Sequence, residues 1–303
     1  MNYLYYPGCS LNGTGKGYNE SVRAVFETLG VNLHELEDWN CCGATAYMAI
    51  SELKAFALSA RNLALAEQQM DKIGTTDMIA PCAACYLVLT KTQHYLNDYE
   101  KISNKVRSAL AAAGLSYEGK IRIRHPLDVL VKDIGLDKIK SSIKQPLSDY
   151  KVASYYGCQI VRPYSTFDDQ YNPQSMDSIM QALGAKAVDW PLKTRCCGGS
   201  LTGTIEEDVG VRLCYILLKE AQKRGASVMA TACPLCQFNL ECYQGQIRKT
   251  MDKKTELSIV YFTQLIGLAL GIDKHKLGMQ RLFVLPKKDM LAAKMEGDQH
   301  GRS

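Results

Sequence analysis

Cys41-Cys42-Gly43 and Cys196-Cys197-Gly198 are one tripeptide written twice in a chain of 303 residues, and the other informative cysteines fall into register around it. Before each doublet, a lone cysteine follows a short aromatic run: Tyr5-Tyr6-Pro7-Gly8-Cys9 in the first half, Tyr155-Tyr156-Gly157-Cys158 in the second. After each comes a C-x-x-C with an apolar tail, Pro81-Cys82-Ala83-Ala84-Cys85-Tyr86-Leu87 and then Cys233-Pro234-Leu235-Cys236-Gln237-Phe238. Ten of the twelve cysteines therefore belong to one five-cysteine pattern, repeated in the same order. The repeat marks an internal duplication.

The segments between the cysteines repeat as well. An aromatic strand over residues 2–6 leads through a glycine-rich turn to a helix whose Val22, Val25, Phe26 and Leu29 share one face, with Gly30 as its stop. A second strand is predicted over 31–36, a long amphipathic helix over 51–73, a buried strand over 78–80 and one or two helices over 86–113. A strand at 121–123 and a helix from Pro126, with Leu127, Leu130 and Ile134 on one face, complete the first half. The second half repeats the plan with strands at 151–156, 227–230 and 257–260, and helices over 176–183, 206–224 and 262–270. Strands alternating with helices predict an α/β fold of two similar Rossmann-like domains with mainly parallel sheets. The polar join at 146–150 divides them into 1–148 and 149–303, with a polar tail from about residue 280. In that tail Leu282-Phe283-Val284-Leu285 is expected to dock, and residues 296–301 to be mobile.

Hydrophobic residues make up 47% of the chain and charged residues 22%, the profile of a soluble globular protein. The net charge of +5 is spread over scattered Lys and Arg, which argues against nucleic-acid binding. Neither a secretory signal nor an apolar run of the ~18 residues a membrane span needs is found, so a cytoplasmic protein without a transmembrane segment is expected. In a reducing compartment, repeated cysteine motifs favour metal or redox chemistry over structural disulfides. The turn Asn12-Gly13-Thr14-Gly15-Lys16-Gly17 lacks the Ser or Thr after its lysine and the G-x-G-x-x-G spacing, so it is not read as a phosphate loop.

In each half the cysteines sit after a strand, in a doublet loop, and at the start of a helix, where parallel α/β folds gather their ligands. Free N–H groups and the dipole at a helix start favour thiolate at Cys82, Cys85, Cys233 and Cys236. The glycine after each doublet is expected to let the backbone pass close to a bulky inorganic core. Five thiolates exceed what a tetrahedral zinc site or an ordinary cubane accepts, which favours iron–sulfur over zinc. Zinc, or one cubane 4Fe–4S cluster in one domain, remains the alternative.

This pattern resembles the cysteine-rich CCG domain, and two such domains in one chain resemble the B-subunit family of heterodisulfide reductases. The resemblance extends to about residue 272. It implies two noncubane 4Fe–4S clusters near the domain interface, one on Cys9, Cys41, Cys42, Cys82 and Cys85, the other on Cys158, Cys196, Cys197, Cys233 and Cys236. It further implies an iron–sulfur oxidoreductase acting on sulfur groups, in which a small disulfide is split between the clusters and leaves as two thiols. With no flavin, nicotinamide or ferredoxin fingerprint in the chain, electrons come from outside. Partners resembling the iron–sulfur (C-type) and flavin-bearing (A-type) components of a heterodisulfide reductase complex are implied. Some members carry Cys-Cys-Pro in the first half; Cys41-Cys42-Gly43 departs from that and bears on the substrate, not on the clusters. Paired CCG domains also resemble the E-type component of succinate or fumarate reductases, an electron-transfer and membrane-docking module.

His125, which precedes Pro126 after a strand, is the candidate proton donor, with helix capping as the plainer role. Cys214 and Cys242 have no counterpart in the other half and are expected to be buried structural residues. Lys16 and Lys193 are expected to be solvated, and Trp39 and Trp190 to fill core or shield the clusters.

Overall fold

Tyr3, Leu4 and Tyr5 are all buried, and so are Val152, Ala153, Ser154 and Tyr155 in the second half. Burial on both faces is what a parallel strand between helical layers requires. The computed structural model describes residues 1–44 and 46–284. The first half runs β1 (Asn2–Tyr5), α1 (Gly8–Asn12), α2 (Lys16–Thr28), β2 (Asn32–Glu35), α3 (Ala46–Ile50) and α4 (Glu52–Ile73). It continues with β3 (Asp77–Ile79), α5 (Ala83–Asp98), α6 (Glu100–Ala112), β4 (Arg122–Arg124), α7 (Pro126–Val129) and α8 (Leu136–Ser141). The second half begins with β5 (Lys151–Tyr155), α9 (Ser175–Ala182), β6 (Lys186–Ala187), α10 (Glu207–Lys223) and β7 (Val228–Thr231). It ends with α11 (Pro234–Cys242), α12 (Gln244–Thr250), β8 (Ser258–Tyr261) and α13 (Phe262–Ala269).

Each half holds a four-stranded parallel sheet, in the orders β2-β1-β3-β4 and β6-β5-β7-β8. Tyr5 pairs with Glu35 on one side and Ile79 on the other; Tyr155 pairs with Thr231. The chain leaves β1 for β2 on one side and returns to β3 on the other. The carboxyl ends of β1 and β3 therefore border the crevice where such sheets bind ligands, and β5 and β7 do the same. Cys9 and Cys82 follow β1 and β3; Cys158 and Cys233 follow β5 and β7.

The helix expected from Pro126 through Ile134 differs from the sequence reading. Its α-helical part is four residues long, and Leu130–Ile134 is π-helical up to Gly135. The wider turn brings Asp128 and Asp133, five residues apart, onto the same buried guanidinium: Arg124 bonds Asp128 and both carboxylate oxygens of Asp133, at 2.9 and 3.0 Å. Residues 86–113 form two helices because Tyr99 is extended, at φ −125° and ψ 91°.

The halves pack by exchanging helices. α2 of the first half lies on α13 of the second, with Ser21 and Thr263 hydroxyls 2.7 Å apart, and α9 of the second packs against α7 and α8 of the first. Lys144 and Gln145, just before the join, donate their N–H groups to Ala269 O. Leu282 is buried as expected of a docking segment, but Phe283 beside it is exposed, and Leu285 and residues 296–301 lie outside the described residues.

Candidate metal centres

In the first half the sulfurs of Cys42 and Cys85 are 3.2 Å apart and those of Cys9 and Cys41 3.9 Å. Cys82, at the N-cap of α5, hydrogen-bonds the Cys85 thiol. The second half repeats this: Cys197 and Cys236 sulfurs are 3.4 Å apart, Cys158 bonds Cys196, and Cys233 at the N-cap of α11 bonds Cys236. All ten are free thiols. Cys42, Cys82, Cys85, Cys197, Cys233 and Cys236 are buried, Cys158 is half-buried, and Cys9, Cys41 and Cys196 are exposed. Each half thus presents a floor of buried sulfurs and an outer edge open to solvent. Among the described residues no three His, Cys, Asp or Glu side chains surround a single ion-sized point.

Crowding sets the charge of these thiols. Hydrogen bonds with Cys41 and Cys85 hold the Cys42 thiol well below the usual range, while the same bond with Cys42 pushes Cys85 up. Cys196 is drawn down to about 2 by hydrogen bonds from Cys158 and Cys197, with help from the Gly198 N–H and the Arg162 charge. Cys233 is lowered by its bond from Cys236 and by the N–H groups of Cys236 and Leu235 at the start of α11, as the helix-start argument expects. Cys85 and Cys236 are raised against that expectation by their bonds to Cys42 and Cys197 and by burial. One thiolate in such a set is stabilised by its neighbours; further thiolates repel it unless a cation lies among them.

Two glycines shape the cradle. Gly8 and Gly157, each just before a lone cysteine, have φ of +68° and +69°. A Cβ would lie 2.8 Å from Cys85 Sγ at Gly8 and 3.2 Å from Cys236 Sγ at Gly157. The glycines after the doublets do not have the role expected of them. A Cβ on Gly43 would meet Ala55 of α4 at 3.2 Å, and one on Gly198 would meet Gly210 of α10 at 2.8 Å. They let the doublet loop press on a helix, while their N–H groups point at Cys41 Sγ (3.5 Å) and Cys196 Sγ (3.3 Å). An all-thiol donor set, backbone donors aimed at sulfur and backbone held close to the sulfur floor fit an iron–sulfur core.

The surrounding polar residues fix the loops. Asn62 accepts from Asn40 N–H and donates to Asn40 O, both at 2.9 Å, and Tyr6 donates to Asn40 O, just before the first doublet. Asn239 reaches Cys197 Sγ at 3.6 Å and Gly199 O at 2.8 Å. Cys214 is buried and donates to Cys197 O at 3.2 Å, while Cys242 is only half-buried. Lys193, expected at the surface, is 5% exposed and pairs with buried Asp177 at 3.1 Å. Trp190 is core, donating to Ser154 O, and Trp39 packs edge-on against Tyr6.

His125 does not stand in the open crevice. It is wholly buried at the N-cap of α7, and its Nδ1 accepts the Leu127 N–H at 3.2 Å. Nε2 therefore carries the hydrogen and faces Pro81 O at 3.2 Å; the Ala232 backbone also bonds the ring. Burial lowers its pKa to about 3. The residues it touches precede Cys82 and Cys233, so a neutral imidazole ties the two C-x-x-C loops together. This geometry supports capping and positioning rather than proton donation. Sequence reasoning passed over Gly8, Gly157 and Tyr18; the Gly-Cys pair present in both halves was the available signal for the first two.

The fold and site define a duplicated, cysteine-rich parallel α/β protein. A profile of the CCG family, described as a cysteine-rich domain, matches residues 3–90 and again 152–241, so the chain belongs to that family. It is 34% identical to the 8-methylmenaquinol:fumarate reductase membrane anchor subunit of Wolinella succinogenes, covering 91% of this chain and 95% of that one. It is 30% identical to a protein of Archaeoglobus profundus named as like the B subunit of heterodisulfide reductase, covering 98% of this chain and 99% of that one. The B subunit of a ferredoxin:CoB-CoM heterodisulfide reductase from Methanosarcina mazei is 28% identical over 93% of each chain. A solved structure of a hypothetical protein from Helicobacter pylori shares the fold, with a TM-score of 0.73 at 17% identity. It matches 94% of this chain, which spans about half of that one (52%). Among the described residues no helix is long and apolar enough to cross a membrane.

Proposed function

We propose that each half holds a noncubane 4Fe–4S cluster on its five cysteines, and that the chain is the disulfide-reducing subunit of a heterodisulfide reductase-like complex. Both sulfur sets are complete, and each has an exposed edge at Cys9 and Cys41 or at Cys196; this observation carries the reading. When bound, the clusters supply one electron each and an open position for each sulfur of the substrate. The chain's own residues do the rest. His125 joins the two C-x-x-C loops and so sets their separation. Gly43 and Gly198 N–H groups bond to Cys41 Sγ and Cys196 Sγ at the outer edge, favouring added negative charge there. Electrons arrive from partner proteins of the iron–sulfur and flavin kind, and 1–148 and 149–303 serve as the two cluster domains.

A second reading has its own support. The relative from Wolinella succinogenes is named a membrane anchor subunit, and apolar side chains stand exposed after both doublets: Ile50 at 79% and Ile205 at 99%, with Tyr47 and Val209 beside them. On that reading the chain passes electrons and docks a fumarate-reducing complex without touching a disulfide.

Anaerobic iron and sulfide analysis with electron paramagnetic resonance separates the two. About eight irons per chain follow from two four-iron clusters, and a paramagnetic signal that grows when thiol is added under oxidising conditions supports the disulfide reading. The same iron content without a thiol response assigns the chain to electron transfer. Stoichiometric zinc in place of iron overturns both.

A further inference from the structure

The duplication shows that one groove of this protein is filled by its own chain while the twin groove is open. Counting from Cys82 and Cys233, Thr90 corresponds to Glu241 and Gln93 to Gln244; counting from His125 and Tyr261, Ile121 corresponds to Leu257 and Asp128 to Gln264. The geometry keeps this correspondence. Gln93 Nε2 donates to Ile121 O at 2.6 Å, and Gln244 Nε2 donates to Leu257 O at 2.8 Å.

In the second half, residues 277–284 lie against these positions. Gln264 donates to Leu277 O at 3.0 Å, Arg281 pairs with Glu20 at 2.7 Å, and the Val284 N–H donates to Glu241 Oε1 at 2.8 Å. Leu277, Met279 and Leu282 are buried in the seat. In the first half the same place is a groove of about 480 Å³, whose lining includes Thr90, Ile123 and Asp128. Thr90 is 6% exposed and its hydroxyl has no partner among the described residues, at the position where Glu241 receives a backbone N–H. β4 is the outer strand of its sheet, so one edge of its backbone is open to pairing, as extended peptides require.

The charge of the groove selects its occupant. Its cations stand outermost, with Lys120, Arg122 and Lys132 side chains 54%, 65% and 50% exposed. Of the carboxylates paired with these cations or with Arg124, Asp77, Asp128 and Asp133 are 13%, 8% and 24% exposed, and Glu118, beside Lys120 and outside the lining, is 58% exposed. The lining itself therefore sets Lys120, Arg122, Arg124 and Lys132 against Asp128 and Asp133. The remaining tail of this chain is no complement: Lys287, Lys288, Lys294 and Arg302 outnumber Asp289, Glu296 and Asp298. We propose that the open groove docks an extended, acidic segment of a partner protein chain, in the manner in which residues 277–284 fill its twin.

The test places a photoreactive amino acid at exposed Asn97, on the groove wall, in the full-length chain expressed in its native host, and maps the adducts by mass spectrometry. The expected adduct is a segment of a different chain with two or more acidic residues. Its yield should fall at least fivefold when Lys120→Glu and Lys132→Gln are combined, with the thermal midpoint of the variant checked against the parent. No adduct, adducts on residues 285–303 of this chain or a second copy, a segment without acidic residues, or a yield indifferent to the charge changes would each overturn the proposal. None of these readouts depends on the clusters, so the docking proposal stands or falls separately from the proposed reaction.

Discussion

Tyr18 of α2 stacks face to face on Tyr261, the N-cap of α13, with ring centroids 4.5 Å apart and planes inclined by 3°. The pair ties one half to the other beside the two C-x-x-C loops. Across the pseudo-twofold the parallel contact is Phe167 on His125, at 6.0 Å and 1°. His125 and Tyr261 occupy equivalent cap positions, so each half offers a flat ring for the other to cover.

Tyr18 is wholly buried and its hydroxyl has no partner among the described residues. Tyr18→Phe therefore removes an unsatisfied polar atom and keeps the stack; stability should be unchanged or rise by about 1 kcal/mol. Tyr18→Ala should cost about 3–5 kcal/mol by opening a cavity at the join. Thermal unfolding of both variants beside the parent checks the contrast, and equal losses would refute it.

Gly8→Ala and Gly157→Ala each place a methyl against a buried sulfur at a backbone angle that disfavours side chains. Each single variant should lose roughly half of the bound iron, and the double variant nearly all of it, if each half holds one cluster. Iron per chain, measured after anaerobic reconstitution, decides. Full loading of the Gly8 variant would show that the cradle does not hold the metal.

Cys214 and Cys42 are both buried cysteines, but only Cys42 belongs to the sulfur floor. Cys214→Ala should keep its iron and lose about 1–2 kcal/mol, for a packed thiol and its hydrogen bond to Cys197 O. Cys42→Ala should lose the first-half cluster. Parallel iron assays on the two variants separate structural from ligand sulfur.

Glu241 carries a pKa raised by burial to about 7, against the pull of the Val284 and Phe283 N–H groups. The folded chain then holds a proton that the unfolded chain has released above about 4.5. Stability should therefore fall as pH rises between about 4.5 and 7, by about 3 kcal/mol from this residue, and level off above. Glu241→Gln keeps the acceptor for Val284 and removes the titration. Urea midpoints at pH 5 and pH 8 should converge in the variant relative to the parent; an unaltered difference would place the proton elsewhere.

The ten cysteines, the strand before each, the helix after each C-x-x-C and the division into two halves were all legible in the chain. The reason is that period and spacing are local properties repeated twice. The apolar spacing after Pro126 carries no sign of the π-helical turn, which goes with Arg124 reaching both Asp128 and Asp133. Nothing near Lys193 in sequence announces Asp177, its buried partner. A histidine after a strand is a candidate proton donor on local grounds, and the fold instead buries His125 against Pro81 and Ala232.

By itself the sequence determined which thiols gather in each half, since five cysteines in a fixed order after parallel strands leave little freedom in where they meet. Tertiary structure alone decided which glycine lies against sulfur and which against a helix, because the atoms that meet them, Cys85 Sγ at Gly8 and Ala55 at Gly43, come from other parts of the chain. It also decided that one of two duplicated grooves is filled and the other open. The filling segment comes once, at the end of the chain, and only folding brings it back to Glu241.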